Sequence, residues 1–305
     1  LSFRIKILGN NAAVPAHGRN QTSQLVILHN QYLLLDCGEC TQNTLLQYKV
    51  NFNKIHHVFI SHLHGDHYYG LMGLISTMQL FGRKKALHIY APSILKEIID
   101  LNLKASDTRL NFEIPFHSLD KKEPGTILDH KHFTVATIPL THRIVCNGFL
   151  IKEKAKPYRI NKEKLHPNIQ LKHIAHFLKG EDVFDEDGNL IYSKDEYTLP
   201  PKKSRSYAYC SDTLFDENIT EIITKVDVLY HESTFLNDLE ERAKETFHST
   251  ASQAATIAKK AGARRLFLGH YSTRYKEIEP FLEEARGIFE NSFLSLEGKD
   301  ILIEE

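Results

Sequence analysis

Apolar and polar positions along this chain fall into two batches of short alternating runs, each followed by longer stretches of helical spacing. Residues 1–7 alternate with a period of two, the pattern of a strand with one buried face, and predict a strand over 3–9. Similar runs predict strands at 24–29 and 31–36 and a helix over 41–48. The β-branched and aromatic run Val58-Phe59-Ile60 predicts a buried strand at 57–60, and helices follow from Tyr69 towards Phe81 and from Ser93 towards Leu103. The second half predicts strands near 133–138, 146–151, 206–210, 227–230 and 265–269, with helices at 250–261 and 276–289. Two batches of strands, each trailed by helices, suit an α/β sandwich of αββα type: two sheets face to face with helices outside. There is no fixed-period repeat. The polar stretch 152–200 reads as an inserted arm rather than core.

Composition adds bounds to this picture. A chain of 305 residues, 42% hydrophobic and 25% charged, has the length for one large core, so a single domain over 1–305 with its inserted arm is expected. Four cysteines are too few for a disulfide framework, and Cys37-x-x-Cys40 lacks the second pair that a zinc ribbon needs. A reducing, cytoplasmic setting is expected. No apolar run reaches the roughly 18 residues of a membrane span, and the first residues lack a signal peptide's continuous apolar core. Net charge is zero, which taken alone speaks against a nucleic-acid partner. The distribution reverses that. Between Lys152 and Lys179 eight basic residues face two acidic ones, and acidic residues such as Asp185, Glu186 and Asp187 follow at once. A solvated basic loop would show the same composition.

The densest chemistry lies in Ser61-His62-Leu63-His64-Gly65-Asp66-His67, directly after the predicted strand at 57–60. A loop leaving a strand end can turn such a cluster onto one metal pair. Histidine nitrogen with carboxylate oxygen and no thiolate is the donor set of a catalytic zinc site rather than a structural one. Three more segments end apolar strands with potential ligands: Leu140-Thr141-His142, Cys210-Ser211-Asp212-Thr213 and Gly269-His270-Tyr271-Ser272. His231-Glu232-Ser233-Thr234-Phe235 and His248-Ser249-Thr250 complete the set.

The order H-x-H-x-D-H resembles the signature of the metallo-β-lactamase superfamily, and Gly65 before Asp66 resembles its ribonuclease Z branch. Leu8-Gly9-Asn10 with Pro15 and Arg19-Asn20, the stretch Asp36-Cys37-Gly38-Glu39-Cys40-Thr41-Gln42, and His270-Tyr271-Ser272-x-Arg274-Tyr275 also resemble motifs of that branch, with Asn10 in place of its usual hydroxyl residue. The resemblance runs from about residue 3 to 290 and implies a metallo-β-lactamase fold with two zinc ions per chain. It implies that His62, His64 and His142 hold one zinc, that Asp66, His67 and His270 hold the other, and that Asp212 bridges them. Asp66 would also orient or deprotonate the attacking water, His248 would donate a proton to the leaving oxygen, and Glu232 would orient the His248 ring. Lys203 and Arg205, in a stretch resembling P-x-K-x-R-N with Ser206 for Asn, would contact RNA phosphates near the cut. The implied activity is cleavage of the 3′ trailer from precursor transfer RNA, by a homodimer in which the arm of one subunit serves the other's site. The branch's Gly-Pro arm motif is missing from 152–200. A small-molecule phosphodiesterase of the same superfamily and a non-catalytic RNA-binding relative remain as alternatives.

Overall fold

The computed structural model describes residues 2–305, so Leu1 lies outside it. The chain opens with an antiparallel meander, β1 (Phe3–Gly9), β2 (Ser23–Leu28) and β3 (Gln31–Leu35). Then α1 (Thr41–Gln47), β4 (Ile55–Phe59), α2 (Gly65–Tyr68), α3 (Gly70–Leu80), β5 (His88–Ala91), α4 (Ile94–Ala105) and β6 (Phe116–Ser118) add parallel strands by helical crossovers. A second sheet starts antiparallel with β7 (Thr126–Asp129), β8 (Phe133–Leu140) and β9 (Cys146–Glu153).

The chain next leaves the sheet through β10 (Arg159–Ile160), α5 (Leu171–Lys179), β11 (Val183–Phe184), β12 (Leu190–Tyr192), α6 (Lys194–Tyr197) and β13 (Thr198–Leu199). It returns through β14 (Ser206–Cys210), α7 (Ile219–Ile222), β15 (Val228–Glu232), α8 (Glu240–Thr246), α9 (Ala251–Ala261), β16 (Leu266–Gly269), α10 (Glu279–Arg286) and β17 (Ser292–Leu294). Last, β18 (Asp300–Leu302) pairs with β1 in the first sheet. Each sheet has seven strands, ordered β18-β1-β2-β3-β4-β5-β6 and β17-β16-β15-β14-β9-β8-β7.

Alternation places each strand's two faces in different cores. Ile5, Val26 and Phe59 from one sheet meet Phe149, Ile151 and Tyr209 from the other. The opposite faces, with Leu25 and Val58 on one side and Ala208 and Leu268 on the other, are covered by helices through Leu74 and Leu95 and through Ala254 and Phe281. This is the expected αββα layering. Five strands of the two large sheets escaped the hydrophobic pattern: β5, β6, β7, β17 and β18 span only three or four residues each. So short a run carries too few alternations to register, and neighbours across the sheet supply its pairing.

The stretch between β9 and β14 folds as a small lobe. Phe177, Val183 and Tyr197 form a cluster of their own, packed by Ile160, Ile169 and Tyr192. Its neck is the β10–β13 pair, with Arg159 opposite Leu199.

Candidate metal centre

Every ligand-type residue singled out in the sequence arrives at one end of the sandwich. His62 and His64 lie on the loop leaving β4, and Asp66 and His67 on the single turn of α2. His142 follows β8, Asp212 follows β14, Glu232 ends β15 and His270 follows β16. Gly38 makes the approach possible, because a Cβ there would lie 2.5 Å from the Asp66 carbonyl oxygen.

Two sets of donors result. In the first, His64 Nδ1 lies 3.1 Å from His62 Nε2 and 3.2 Å from His142 Nε2. In the second, Asp66 Oδ2 lies 3.4 Å from both His67 Nε2 and His270 Nε2. Asp212 stands between them with one oxygen towards each. Its Oδ2 is 3.5 Å from His62 and 3.9 Å from His142, while its Oδ1 is 3.3 Å from His67 and 3.2 Å from His270. The donors of each set lie close enough together to share one metal ion.

The residues fit such an ion. His67 Nε2 and His270 Nε2 are buried and have no hydrogen-bond partner in the protein, although both face carboxylates. Buried polar atoms without partners are costly, and a cation among these donors removes the cost. The far nitrogens are meanwhile engaged. His67 Nδ1 meets Asp36 at 2.8 Å, His142 Nδ1 donates to the Phe247 carbonyl at 2.9 Å, and His270 Nδ1 meets Thr234 Oγ1 at 2.9 Å. Partners of this kind set the tautomer and aim the other nitrogen inward. Burial holds His62, His64 and His142 below the usual imidazole range, the last two at about 4, so their nitrogens are neutral and free to ligate. Asp66 and Asp212 are held well below the usual carboxylate range: burial opposes their charge, but the facing imidazoles outweigh it.

Beside this cluster, His248 Nδ1 lies 2.8 Å from Glu232 Oε1 and 4.0 Å from Asp212 Oδ2. Burial works against a charge on His248, but Glu232, Asp212 and Asp66 outweigh it and lift the ring to about 9. Its position is set by the start of α9, where Thr250 and Gln253 cap each other reciprocally two residues later. His64, Asp66, Asp212 and His270 from the donor sets line one cavity of about 320 Å³ together with His248.

Sequence reasoning passed over three supports. Asp36 accepts from Ser61 N at 2.7 Å and from the Tyr209 hydroxyl at 2.6 Å as well as meeting His67. Thr234 links Glu232 to His270. The Ala13 amide donates to Asp66 at 2.8 Å. Asp36 ends an apolar run and was legible as a buried acid, whereas a backbone amide leaves no trace in a sequence.

Two expectations fail. Arg205 is buried, not available to RNA: its Nη2 lies 2.7 Å from Glu153 Oε1, and its Nη1 donates to the Ile303 carbonyl at 3.0 Å. Lys203 is paired with Asp227. Both precede β14, whose far end leads to Asp212. Proximity in sequence became distance in space, because an extended chain advances about 3.3 Å per residue. The Cys37 thiol is buried and pushed up to about 12 by that burial, which disfavours a thiolate there.

Comparison with known proteins bears on the whole chain. The family model described as Anti-Pycsar protein Apyc1 matches residues 3–156, and the Beta-lactamase superfamily domain model matches 197–271. The gap between them is the inserted lobe. Ribonuclease Z of Cytophaga hutchinsonii is 50% identical over all of this chain and 97% of its own length. Ribonuclease Z of Bacteroides fragilis is 42% identical, over 97% of both. The crystal structure of the human short-form tRNase Z superposes with a TM-score of 0.70 at 25% identity, covering 98% of each chain.

Proposed function

We propose that this chain, which belongs to the ribonuclease Z family, is a zinc-dependent endoribonuclease that removes the 3′ trailer from precursor transfer RNA and leaves a 3′ hydroxyl on the transfer RNA. One observation carries the reading: Asp212 turns one oxygen to each of two donor sets, and the Glu232–His248 pair stands 4.0 Å from it. Such a centre is built for two ions and a charged leaving oxygen. His62, His64 and His142 would hold one zinc and Asp66, His67 and His270 the other, with Asp212 available to both. Zinc ions bound in this way polarise a phosphodiester and bring a water's pKa towards neutrality.

The chain's own groups supply the rest. Asp66, held by the Ala13 amide, orients the attacking water. His248 carries a proton at neutral pH and gives it to the departing ribose oxygen, which is a strong base and leaves poorly without one. Glu232 holds the ring by its Nδ1, which points Nε2 away from that carboxylate. The lobe grips the transfer RNA far from the cut. It is rooted at the Glu153 end of β9, whereas the metal centre lies beyond the Cys146 end, so it suits service to a second subunit's site in a homodimer. Lys162, Lys164, Lys172 and Lys179 on the lobe enter no ion pair among the described residues and remain for phosphates. Four free cysteines suit the cytoplasm. No helix among the described residues is long and apolar enough to cross a membrane.

Incubating the protein with precursor transfer RNA and mapping the 3′ end tests the reading. A product ending within a nucleotide or so of the discriminator base supports it. Intact precursor, beside hydrolysis of a chromogenic phosphodiester, would favour a small-molecule phosphodiesterase.

A further inference from the structure

The mouth of the metal cavity carries three arginines that no step above employs: Arg143, Arg242 and Arg274. The acids lining the same cavity, Asp66 and Asp212, both belong to the donor sets. Arg242 has an acidic partner, Glu245, at 3.1 Å. Arg143 and Arg274 are exposed, and among the described residues neither side chain makes a hydrogen bond or ion pair. Two cations left without counter-charge at a cavity rim call for an anionic ligand.

Their placement says how that ligand runs. Arg143 follows His142 on the loop after β8, beside the first donor set. Arg274 lies four residues beyond His270 on the loop after β16, beside the second. In the sheet, β14 with Asp212 at its end lies between β16 and β8, so the loops that carry the two arginines leave the sheet on either side of Asp212, and all three residues line the one cavity. A phosphate seated at Asp212 would therefore have one arginine on each side.

Resting on the endoribonuclease reading, we propose that Arg143 and Arg274 each hold one of the two phosphates adjacent to the scissile one. The site then selects an internal diester of a polynucleotide strand, because a cyclic or simple mononucleotide has one phosphate and leaves both arginines empty. Guanidinium forks suit this task, since they hold phosphate oxygens through two parallel donors.

The test is a coupling measurement on precursor transfer RNA in which one phosphate next to the cut, on either side, is a neutral methylphosphonate. In the unaltered enzyme each replacement should lower kcat/KM by roughly tenfold or more, the usual worth of a hydrogen bond to a charged group. In Arg143→Gln one of the two replacements should lose its effect, falling below about twofold on the same scale. In Arg274→Gln the other replacement should lose its effect. Arg→Lys at either position should restore part of the sensitivity, and unchanged melting curves would confirm intact folds. If both variants stay as sensitive as the unaltered enzyme to both replacements, the assignment is overturned. If the enzyme does not cut precursor transfer RNA at all, the endoribonuclease reading fails on its own. The arginines are then tested with the p-nitrophenyl ester of thymidine 5′-phosphate, with and without an added 3′-phosphate. No preference for the doubly phosphorylated ester would overturn them too.

Discussion

His248 owes its charge to its neighbours. Burial penalises an imidazolium, yet Glu232 at 2.8 Å and the carboxylates beyond it raise the ring to about 9. A proton held so firmly is useful only to a leaving group more basic than its holder, and a ribose oxygen qualifies. His248→Ala should therefore cost roughly 10²–10⁴-fold in kcat on RNA. The loss should be much smaller on a nitrophenyl ester, whose leaving group needs no proton. Equal losses on both substrates would mark the ring as a positioning group instead. Asp212 makes a different prediction. Because its two oxygens face different donor sets, Asp212→Ala should empty both on metal analysis, whereas His142→Ala should weaken one. Full two-ion occupancy in Asp212→Ala would remove the basis for the shared-ligand reading.

Among the elements, β9 and β14 show how a strand can serve two ends at once. Their upper ends lead to the metal centre, and their lower ends are tied by an ion cluster. There Glu153, buried at the end of β9, meets Arg205 at 2.7 Å, His29 at 2.9 Å and Lys156 at 3.0 Å. Burial alone would raise the Glu153 carboxyl, but Arg205 foremost, and Lys156 after it, bring it down to about 2. Its folded pKa thus lies below the ordinary 4.5, and the unfolded chain takes up the proton first. The stability it contributes is fully present above about pH 4.5 and fades as pH falls towards 2. Urea midpoints measured from pH 7 down to 3 should drop less steeply for Glu153→Gln than for the unaltered protein. Arg205→Ala leaves a buried carboxylate without its main partner and should cost about 3–5 kcal/mol. A change below about 1 kcal/mol in urea unfolding, the size expected of an exposed pair, would show that the cluster is solvated.

On the scale of the whole molecule, the donor sets belong to the sandwich, and Lys162, Lys164, Lys172 and Lys179, without ion pairs among the described residues, belong to a lobe. The lobe has its own small core and a two-stranded neck, so it can be removed without opening either sheet. Replacing 159–199 by a short Gly-Ser linker keeps Lys156, Lys202 and Arg205, which tie the root to Glu153 and Glu305. This change should lower kcat/KM on precursor transfer RNA by at least roughly tenfold and flatten its salt dependence, since fewer phosphates are neutralised. A chromogenic phosphodiester should still be hydrolysed within a few-fold. Normal processing of transfer RNA by the shortened protein would reduce the lobe to an insertion without function.

Much of this protein was written locally. The run Val58-Phe59-Ile60 and the histidines after it specify a strand and a ligand loop because period-two burial and donor chemistry act over a few residues. The layering followed from the same rule applied along the chain. Tertiary structure decided the rest. Strands of three or four residues such as β6 and β17 exist because a neighbouring strand completes their hydrogen bonds. Arg205, basic and close to Asp212 in sequence, became a buried structural ion because an extended strand carries it to the opposite end from the metal centre. Cations in the basic stretch are likewise unequal, since Lys154 and Lys156 are spent on Asp129, Glu153 and Glu305 at the root. Local sequence determined which residues carry chemistry and on which elements they ride. Only the packing of two sheets determined which of them meet, because burial and charge pairing depend on neighbours that lie far apart along the chain.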